Sequence, residues 1–117
     1  MKPAVDAYRK NDYALADREF SALELRYPNA IEVFFFGGVS RLFLHDPERA
    51  IAAFKKAEEI GDATFAPHVA WYRAVAEERA GHLSEARAQL EKVCRGTSDR
   101  ATRACEGMRE IGRVDGR

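Results

Sequence analysis

The sequence has few of the residues that cross-link small proteins, and it has no net charge. It contains two cysteines and four prolines among 117 residues. Two cysteines are too few for a disulfide-rich scaffold and, on their own, for a structural zinc site. The 19 basic and 19 acidic residues cancel, and no apolar run approaches the ~20 residues of a membrane span. We therefore expect no nucleic-acid partner and no direct membrane insertion.

Catalytic and metal-binding patterns are also absent from the sequence. His45, His68 and His82 have neither the spacing of a metal site nor a neighbouring cysteine. Two of them, His45 and His82, fall in predicted turns, where we expect solvated side chains. Adjacent acids such as Glu77 and Glu78 point about 100° apart on a helix, so they form no acid/base pair. We expect no catalytic residue, no metal, no cofactor and no enzyme activity.

A small residue followed four positions later by a bulky one occurs three times. Ala16 precedes Phe20, Ala50 precedes Phe54 at an offset of 34 residues, and Ala86 precedes Leu90 at a further offset of 36. Residues four apart share a helical face, where the small side chain lets a neighbouring helix approach. Such a period predicts stacked helix–turn–helix units, because one unit cannot bury its apolar face alone.

Further motifs fit the same register. Asn11-Asp12-Tyr13 resembles the tetratricopeptide repeat family's loop before the second helix, Trp71-Tyr72 resembles its aromatic opening of the first helix, and Tyr27-Pro28 resembles a unit's end. The resemblance covers about residues 4 to 95, and it is closest to bacterial members of the family. It implies an all-α fold of three helix pairs and a C-terminal capping helix, arranged as an α–α superhelix.

Residues 1 to 112 are predicted to form one domain, with the capping helix at about residues 98 to 111 and a frayed tail at residues 113 to 117. Glycines at positions 61, 81, 96 and 112 are predicted to end helices. The first predicted helix, residues 3 to 10, is about half the usual length, so we favour a chain that is part of a longer one. The compartment stays open: cytoplasmic, or periplasmic if the parent protein is exported.

The C-terminal quarter differs from the rest in charge and in cysteine content. Residues 92 to 117 contain seven basic and four acidic residues, a net charge of +3, so residues 1 to 91 carry −3. Because this segment has no aromatic residue, we expect a solvated face rather than a nucleic-acid site. Cys94 and Cys105 lie on two predicted antiparallel helices, where a disulfide and two buried free thiols are both open.

The third predicted helix contains three successive phenylalanines, which sweep about 200° of its surface. Phe34, Gly38 and Leu42 are assigned to packing within the repeat, with the glycine where the partner helix approaches. Phe35, Val39 and Phe43 form a second stripe at the same spacing. The first helices of a tetratricopeptide superhelix line its concave surface, so the resemblance implies that this stripe faces a groove. The alternative is that the stripe is core.

The predicted partner-binding groove consists of that stripe and flanking residues from the first and fifth helices. Its residues are Tyr8, Phe35, Val39, Phe43, Tyr72 and Val75. The hypothesis is a non-enzymatic protein–protein interaction module that binds a short apolar or amphipathic segment of a protein or peptide. The alternative is a structural or oligomerisation module, whose groove is filled by its own parent chain or by a second copy in a homodimer.

Overall fold

The computed structural model describes residues 1 to 115, which form seven helices that pack in chain order. They are α1 (Lys2–Arg9), α2 (Tyr13–Arg26), α3 (Ile31–Phe43), α4 (Pro47–Ile60), α5 (Ala66–Arg79), α6 (Leu83–Cys94) and α7 (Ala101–Asp115). Helices α1 to α6 form three antiparallel pairs and α7 packs on α6. The stack measures 45 × 27 × 23 Å. Within the described residues, no helix is both long and apolar enough to cross a membrane.

The signals at helix ends act largely as the sequence predicts. The Asp46 carboxylate caps α4 by accepting a hydrogen bond from the Arg49 backbone N–H, and Pro47 occupies the first turn, where no N–H is needed. Gly61 ends α4 in the left-handed conformation, with φ of 74°. Gly112, however, lies inside α7, so the prediction that it ends a helix is wrong.

The turns inside the three helix pairs share one backbone geometry. The residues with positive φ are Asn11 (62°), His45 (62°) and Gly81 (83°). After each one, a backbone N–H bonds to the carbonyl five residues earlier. These bonds join Asp12 to Ala7 (2.9 Å), Asp46 to Arg41 (3.0 Å) and His82 to Glu77 (2.8 Å). The three units are therefore in register, at the offsets of 34 and 36 residues read from the sequence, and Ala7, Arg41 and Glu77 occupy equivalent positions.

Small residues lie where helices approach most closely. Ala16, Ala50 and Ala86 have no exposed surface, as predicted. On α3, a Cβ at Gly38 would lie 2.6 Å from Cε1 of Phe54 on α4. A Cβ at Gly37 would lie 2.8 Å from Oε2 of Glu24 on α2. The two glycines thus let α3 contact both of its neighbours, and the prediction for Gly38 is confirmed.

Buried Arg41 joins α3 to α2 through three polar side chains. Its Nε donates to Oδ1 of Asp17 at 2.8 Å, its Nη1 to Oε2 of Glu24 at 2.8 Å, and its Nη2 to Oγ of Ser21 at 2.9 Å. Arg49 of α4 donates to both oxygens of Asp17. Burial opposes ionisation of Asp17, but the hydrogen bonds from Arg49 and Arg41 outweigh it and lower the pKa of this carboxyl. One carboxylate therefore links α2, α3 and α4.

The last helix differs from its prediction in its bounds. It begins at Ala101 rather than near residue 98, and it continues to Asp115. Residues 113 to 115 are thus helical instead of forming an irregular tail, and Arg113 pairs with Glu110 one turn earlier. The remainder of the predicted tail, residues 116 and 117, lies outside the described residues.

A disulfide between Cys94 and Cys105 connects the end of α6 to α7. Of the two alternatives that the sequence left open, the structure has the cross-linked one. Closing a loop of this length stabilises a fold by roughly 3 kcal/mol. The disulfide therefore holds the N-terminal part of α7 against the end of α6.

Because Gly38 is in close contact with Phe54 and Gly112 is not, replacement by alanine should change the free energy of unfolding in opposite directions at these two positions. Gly38→Ala would force the new methyl group into the buried Phe54 ring, and we expect it to lower the free energy of unfolding by about 1–3 kcal/mol. Gly112→Ala causes no clash, since its Cβ would make ordinary van der Waals contact with Arg87 at 3.9 Å. It should raise stability by up to about 1 kcal/mol through helix propensity. Urea denaturation measures both, and equal effects would contradict the packing at Gly38.

Candidate functional site

The odd-numbered helices lie side by side and form one face of the stack through aromatic contacts. Tyr8 of α1 meets Phe36 of α3 edge to face, with ring centroids 5.2 Å apart. Phe35 of α3 meets Tyr72 of α5 in the same way at 5.6 Å. Such edge-to-face pairs are the favoured aromatic geometry. Each first helix is thereby joined to the next across this face.

Aromatic side chains continue along this face to the turn between α1 and α2. Tyr13 stacks on Phe43 at 4.8 Å with an angle of 18° between the rings, and it meets Tyr8 at 6.1 Å. We call the accessible part of this set the aromatic face; it consists of Tyr8, Tyr13, Phe36, Phe43 and Tyr72. All five are half-buried or exposed. They form an apolar surface that carries three phenolic hydroxyl groups.

The predicted groove residues have unequal exposure. Phe35 is 7% exposed and Val39 is 1% exposed, whereas Phe43 is 46% exposed. Tyr8, Tyr72 and Val75 are half-buried and pack against the same core cluster. Phe35 and Val39 are therefore core residues in this structure, as the alternative for the stripe has it, and Phe43 is its accessible residue. That the six residues contact a partner stays a prediction.

Phe35 is buried because neighbouring helices surround its ring. Its ring centroid lies 6.2 Å from that of Phe54 on α4, 5.5 Å from that of Phe65 before α5 and 5.6 Å from that of Tyr72 on α5. These side chains lie 19 to 37 positions further along the chain. The stripe of i, i+4 and i+8 residues thus begins in the core and ends at the surface with Phe43.

Two contributors to this face are missed by the sequence analysis. Phe36 belongs to neither predicted stripe, yet it bridges Tyr8 and Phe35 at 5.2 and 5.1 Å. The 200° sweep of three adjacent phenylalanines indicates that one of them must lie away from the core stripe, but it does not say which. Arg100 was assigned to a solvated polar face. Instead its Cζ lies 5.3 Å from the ring centroid of Tyr72.

The Tyr8 hydroxyl is the most perturbed acid of the aromatic face. Burial raises its pKa, and the neighbouring Tyr72 and Tyr13 hydroxyls raise it further because a second negative charge nearby is unfavourable. Tyr8 is therefore neutral under all physiological conditions. Its hydroxyl can both donate and accept a hydrogen bond, for example with the backbone of an extended or helical segment.

A second polar network centres on Glu77, which is 2% exposed. Its Oε1 lies 2.8 Å from Nδ1 of His82, and its Oε2 accepts from Nε of Arg73 at 3.2 Å. Arg73 also donates to both oxygens of Glu58 on α4. The hydrogen bond with Glu77, together with the charge of nearby Glu48, raises the pKa of His82. The expectation that His82 is merely solvated in its turn is therefore wrong.

Groups suited to chemistry are not brought together in the part of the chain that the structure describes. Among the described side chains of residues 1 to 113, no three of His, Cys, Asp or Glu are clustered so that they could hold a metal ion. A cavity of about 460 Å³ between the start of α5 and the end of α6 is lined mostly by apolar atoms, and Lys92 is its one ionisable lining residue. Its lining therefore offers neither an acid/base pair nor an activated nucleophile.

Comparison with solved structures identifies the fold. SycD, the type III secretion translocator chaperone of Yersinia enterocolitica, matches with a TM-score of 0.83 and 18% identity, covering 97% of this chain and 81% of that chain. PcrH in complex with the chaperone binding region of PopD matches with a TM-score of 0.83 and 16% identity, covering 96% and 87%. SycD of the same organism in complex with a peptide of the translocator YopD matches with a TM-score of 0.82 and 19% identity, covering 96% and 88%.

At these identities the match shows the fold alone. The chain has the all-α tetratricopeptide repeat fold that the sequence predicts, and it shares this fold with these chaperones. No protein-family model matches the chain, and no curated protein has a significant match to its sequence.

Because Phe35 is buried and Phe43 is exposed, changing each to alanine should have a different effect on the free energy of unfolding. Phe35→Ala should lower the free energy of unfolding by about 3–5 kcal/mol, because it leaves a cavity among the rings of three helices. Phe43→Ala should cost about 1 kcal/mol or less, since half of the side chain is already in solvent. Chemical denaturation of both variants tests this, and equal losses would mean that Phe43 also belongs to the core.

The Glu77–His82 contact predicts a pH dependence of stability. Because the folded state raises the pKa of His82, the contact stabilises fully below the unfolded pKa of about 6.5 and is lost as pH rises through the folded value. His82→Gln should therefore flatten the decline in the urea midpoint as the pH rises above the ordinary histidine pKa of about 6.5. His45→Asn is the control, because asparagine tolerates the positive φ of that turn. A decline that His82→Gln leaves unchanged would exclude this contact as its source.

Proposed function

We propose that the chain is a non-enzymatic protein-interaction module, of the chaperone kind, that binds a short apolar or amphipathic segment of a partner protein on its aromatic face. The observation that carries this proposal is the accessible aromatic surface across α1, α3 and α5, with Phe43 at 46% exposure. Exposed aromatic side chains backed by a packed core are typical binding anchors.

The solved neighbours support the same reading. PcrH is in complex with the chaperone binding region of PopD, and SycD is in complex with a peptide of the translocator YopD. Both have the fold of this chain and both hold a segment of another protein. By analogy, we infer a peptide ligand for this chain, with apolar side chains set against Phe36 and Phe43 and backbone groups within reach of the tyrosine hydroxyls.

Two equally exposed aromatic residues make a matched test of this proposal. Phe43 on the aromatic face is 46% exposed, and Tyr27 at the end of α2 is 48% exposed. Random peptides displayed on phage are selected on the purified full chain, and the affinity of the enriched peptides is measured by fluorescence anisotropy. We expect enriched peptides rich in apolar residues, and Phe43→Ala should weaken their binding by about 2 kcal/mol, or roughly 30-fold in Kd. Tyr27→Ala should leave the affinity unchanged.

Light scattering on the same sample tests the alternative function. A mass of twice 13.2 kDa that Phe43→Ala reduces to that of a stable monomer would mean that a second copy fills the aromatic face. Peptides that bind Phe43→Ala and the unaltered chain equally well would place the binding surface elsewhere. Either outcome would contradict the proposal.

A further inference from the structure

Two arginines at the start of α7 lie against the aromatic residues of α5. The Arg100 Cζ is 5.5 Å from the ring centroid of Trp71 and 5.3 Å from that of Tyr72. The Arg103 Cζ is 6.0 Å from the Trp71 ring. A guanidinium over a ring face is held by the ring quadrupole. Stacking occupies the flat face of the group and leaves its N–H edges available for a further partner.

Neither guanidinium has an acidic partner among the side chains that the structure describes. Ion pairs within 4.0 Å involve five of the thirteen arginines whose side chains are described: Arg41, Arg49, Arg73, Arg95 and Arg113. Among the described side chains, those of residues 1 to 113, no carboxylate lies within ion-pair distance of Arg100 or Arg103, although Asp99 precedes Arg100 directly. The one polar side-chain contact of Arg100 is with His68 of α5, whose Nδ1 accepts from Nη1 at 3.2 Å. In the neutral tautomer that this contact requires, Nε2 carries the ring proton and is a donor on an exposed side chain.

The local potential here is positive for two further reasons. The first turn of α7 contains no acidic residue, and the N-terminus of a helix has a partial positive charge that basic residues reinforce. Residues 92 to 117 also carry a net charge of +3 in a chain that is neutral overall. Arg100 is half-buried, so solvent screens it less than a fully exposed surface cation. An anion would therefore be attracted to this end of the aromatic face.

We propose that Arg100, Arg103 and His68 bind a side-chain carboxylate of the partner segment, an Asp or Glu beside the apolar residues that the aromatic face holds. This inference rests on the proposed function and specifies, in addition, that the bound segment has a negatively charged side chain. A carboxylate matches the paired N–H groups of a guanidinium edge. Because Trp71 and Tyr72 flank Arg100, a slender side chain fits this edge better than the end of a main chain with its own bulk.

The first experiment compares peptide selection on two proteins. A library of random 12-residue peptides displayed on phage is selected on the full chain and on Arg100→Gln, with circular dichroism as a check that the variant is folded. We expect Asp or Glu to be enriched at a constant distance from the apolar residues on the unaltered chain. On Arg100→Gln the apolar pattern should persist and the acidic enrichment should be lost. Equal acidic enrichment on both proteins would overturn the inference and leave the proposed function intact.

The second experiment measures the coupling directly with the most enriched peptide, synthesised with an amidated C-terminus. Changing its acidic residue to the matching amide should weaken binding to the unaltered chain by about tenfold and should have no effect on Arg100→Gln. Arg109→Gln, an exposed arginine further along α7, is the matched control and should behave like the unaltered chain. The fluorescence of Trp71, the single tryptophan of the sequence, should report the binding.

The remaining outcomes are also decisive. If a free C-terminal carboxylate replaces the acidic side chain without loss of affinity, the site recognises a chain end and the inference is wrong. If Arg109→Gln weakens binding as much as Arg100→Gln, the effect is one of total charge and no specific site exists. If selection yields no peptide whose binding depends on the aromatic face, the proposed function fails, and this inference fails with it.

Discussion

The structure depends on the contact of α3 with helices on both of its sides. Gly37 allows Glu24 and Phe20 of α2 to approach, and Gly38 allows the Phe54 ring of α4 to lie against the helix backbone. Glycine lowers helix propensity by about 1 kcal/mol per residue, so adjacent glycines in a helix are unfavourable on their own. The packing gained on both sides offsets this cost, because close contact with two neighbours buries the apolar surface that drives folding.

Buried charges give each contact between units its register. Arg41 and Glu77 occupy the same place in successive units, four residues before the positive-φ residue of the turn. Arg41 is paired with acids of α2, whereas Glu77 is paired with His82 and with Arg73, which reaches Glu58 of α4. An unpaired buried charge is very unfavourable. A shift of the first unit against the second would separate Arg41 from its acids of α2, and a shift of the second against the third would separate Arg73 from Glu58. Both shifts are therefore disfavoured.

This alignment also determines which side chains of the aromatic face are accessible. The rings of Phe35 and Phe54 fill the interior, Phe36 and Tyr72 pack against this core, and Phe43 stacks on Tyr13 at the surface. The disulfide holds α7 on α6 and thereby keeps Arg100 beside Tyr72. The surface thus has an aromatic part and a cationic part, both built on rigid helices. Rigid support lowers the entropy lost on binding, which is consistent with the proposed recognition of a short segment.

The sequence by itself determined the helices, their pairing and the close approaches at Ala16, Ala50 and Gly38, because spacing along one chain decides which residues share a helical face. It did not determine which face becomes accessible. Phe35 and Phe43 occupy the same stripe, yet only Phe43 is exposed, since residues of α4 and α5 cover Phe35. Likewise, Arg100 and His82 take their roles from Trp71, Tyr72 and Glu77, which lie on other helices or across a turn. Burial and charge pairing arise between segments that are brought together only by folding, and local periodicity carries no information about them.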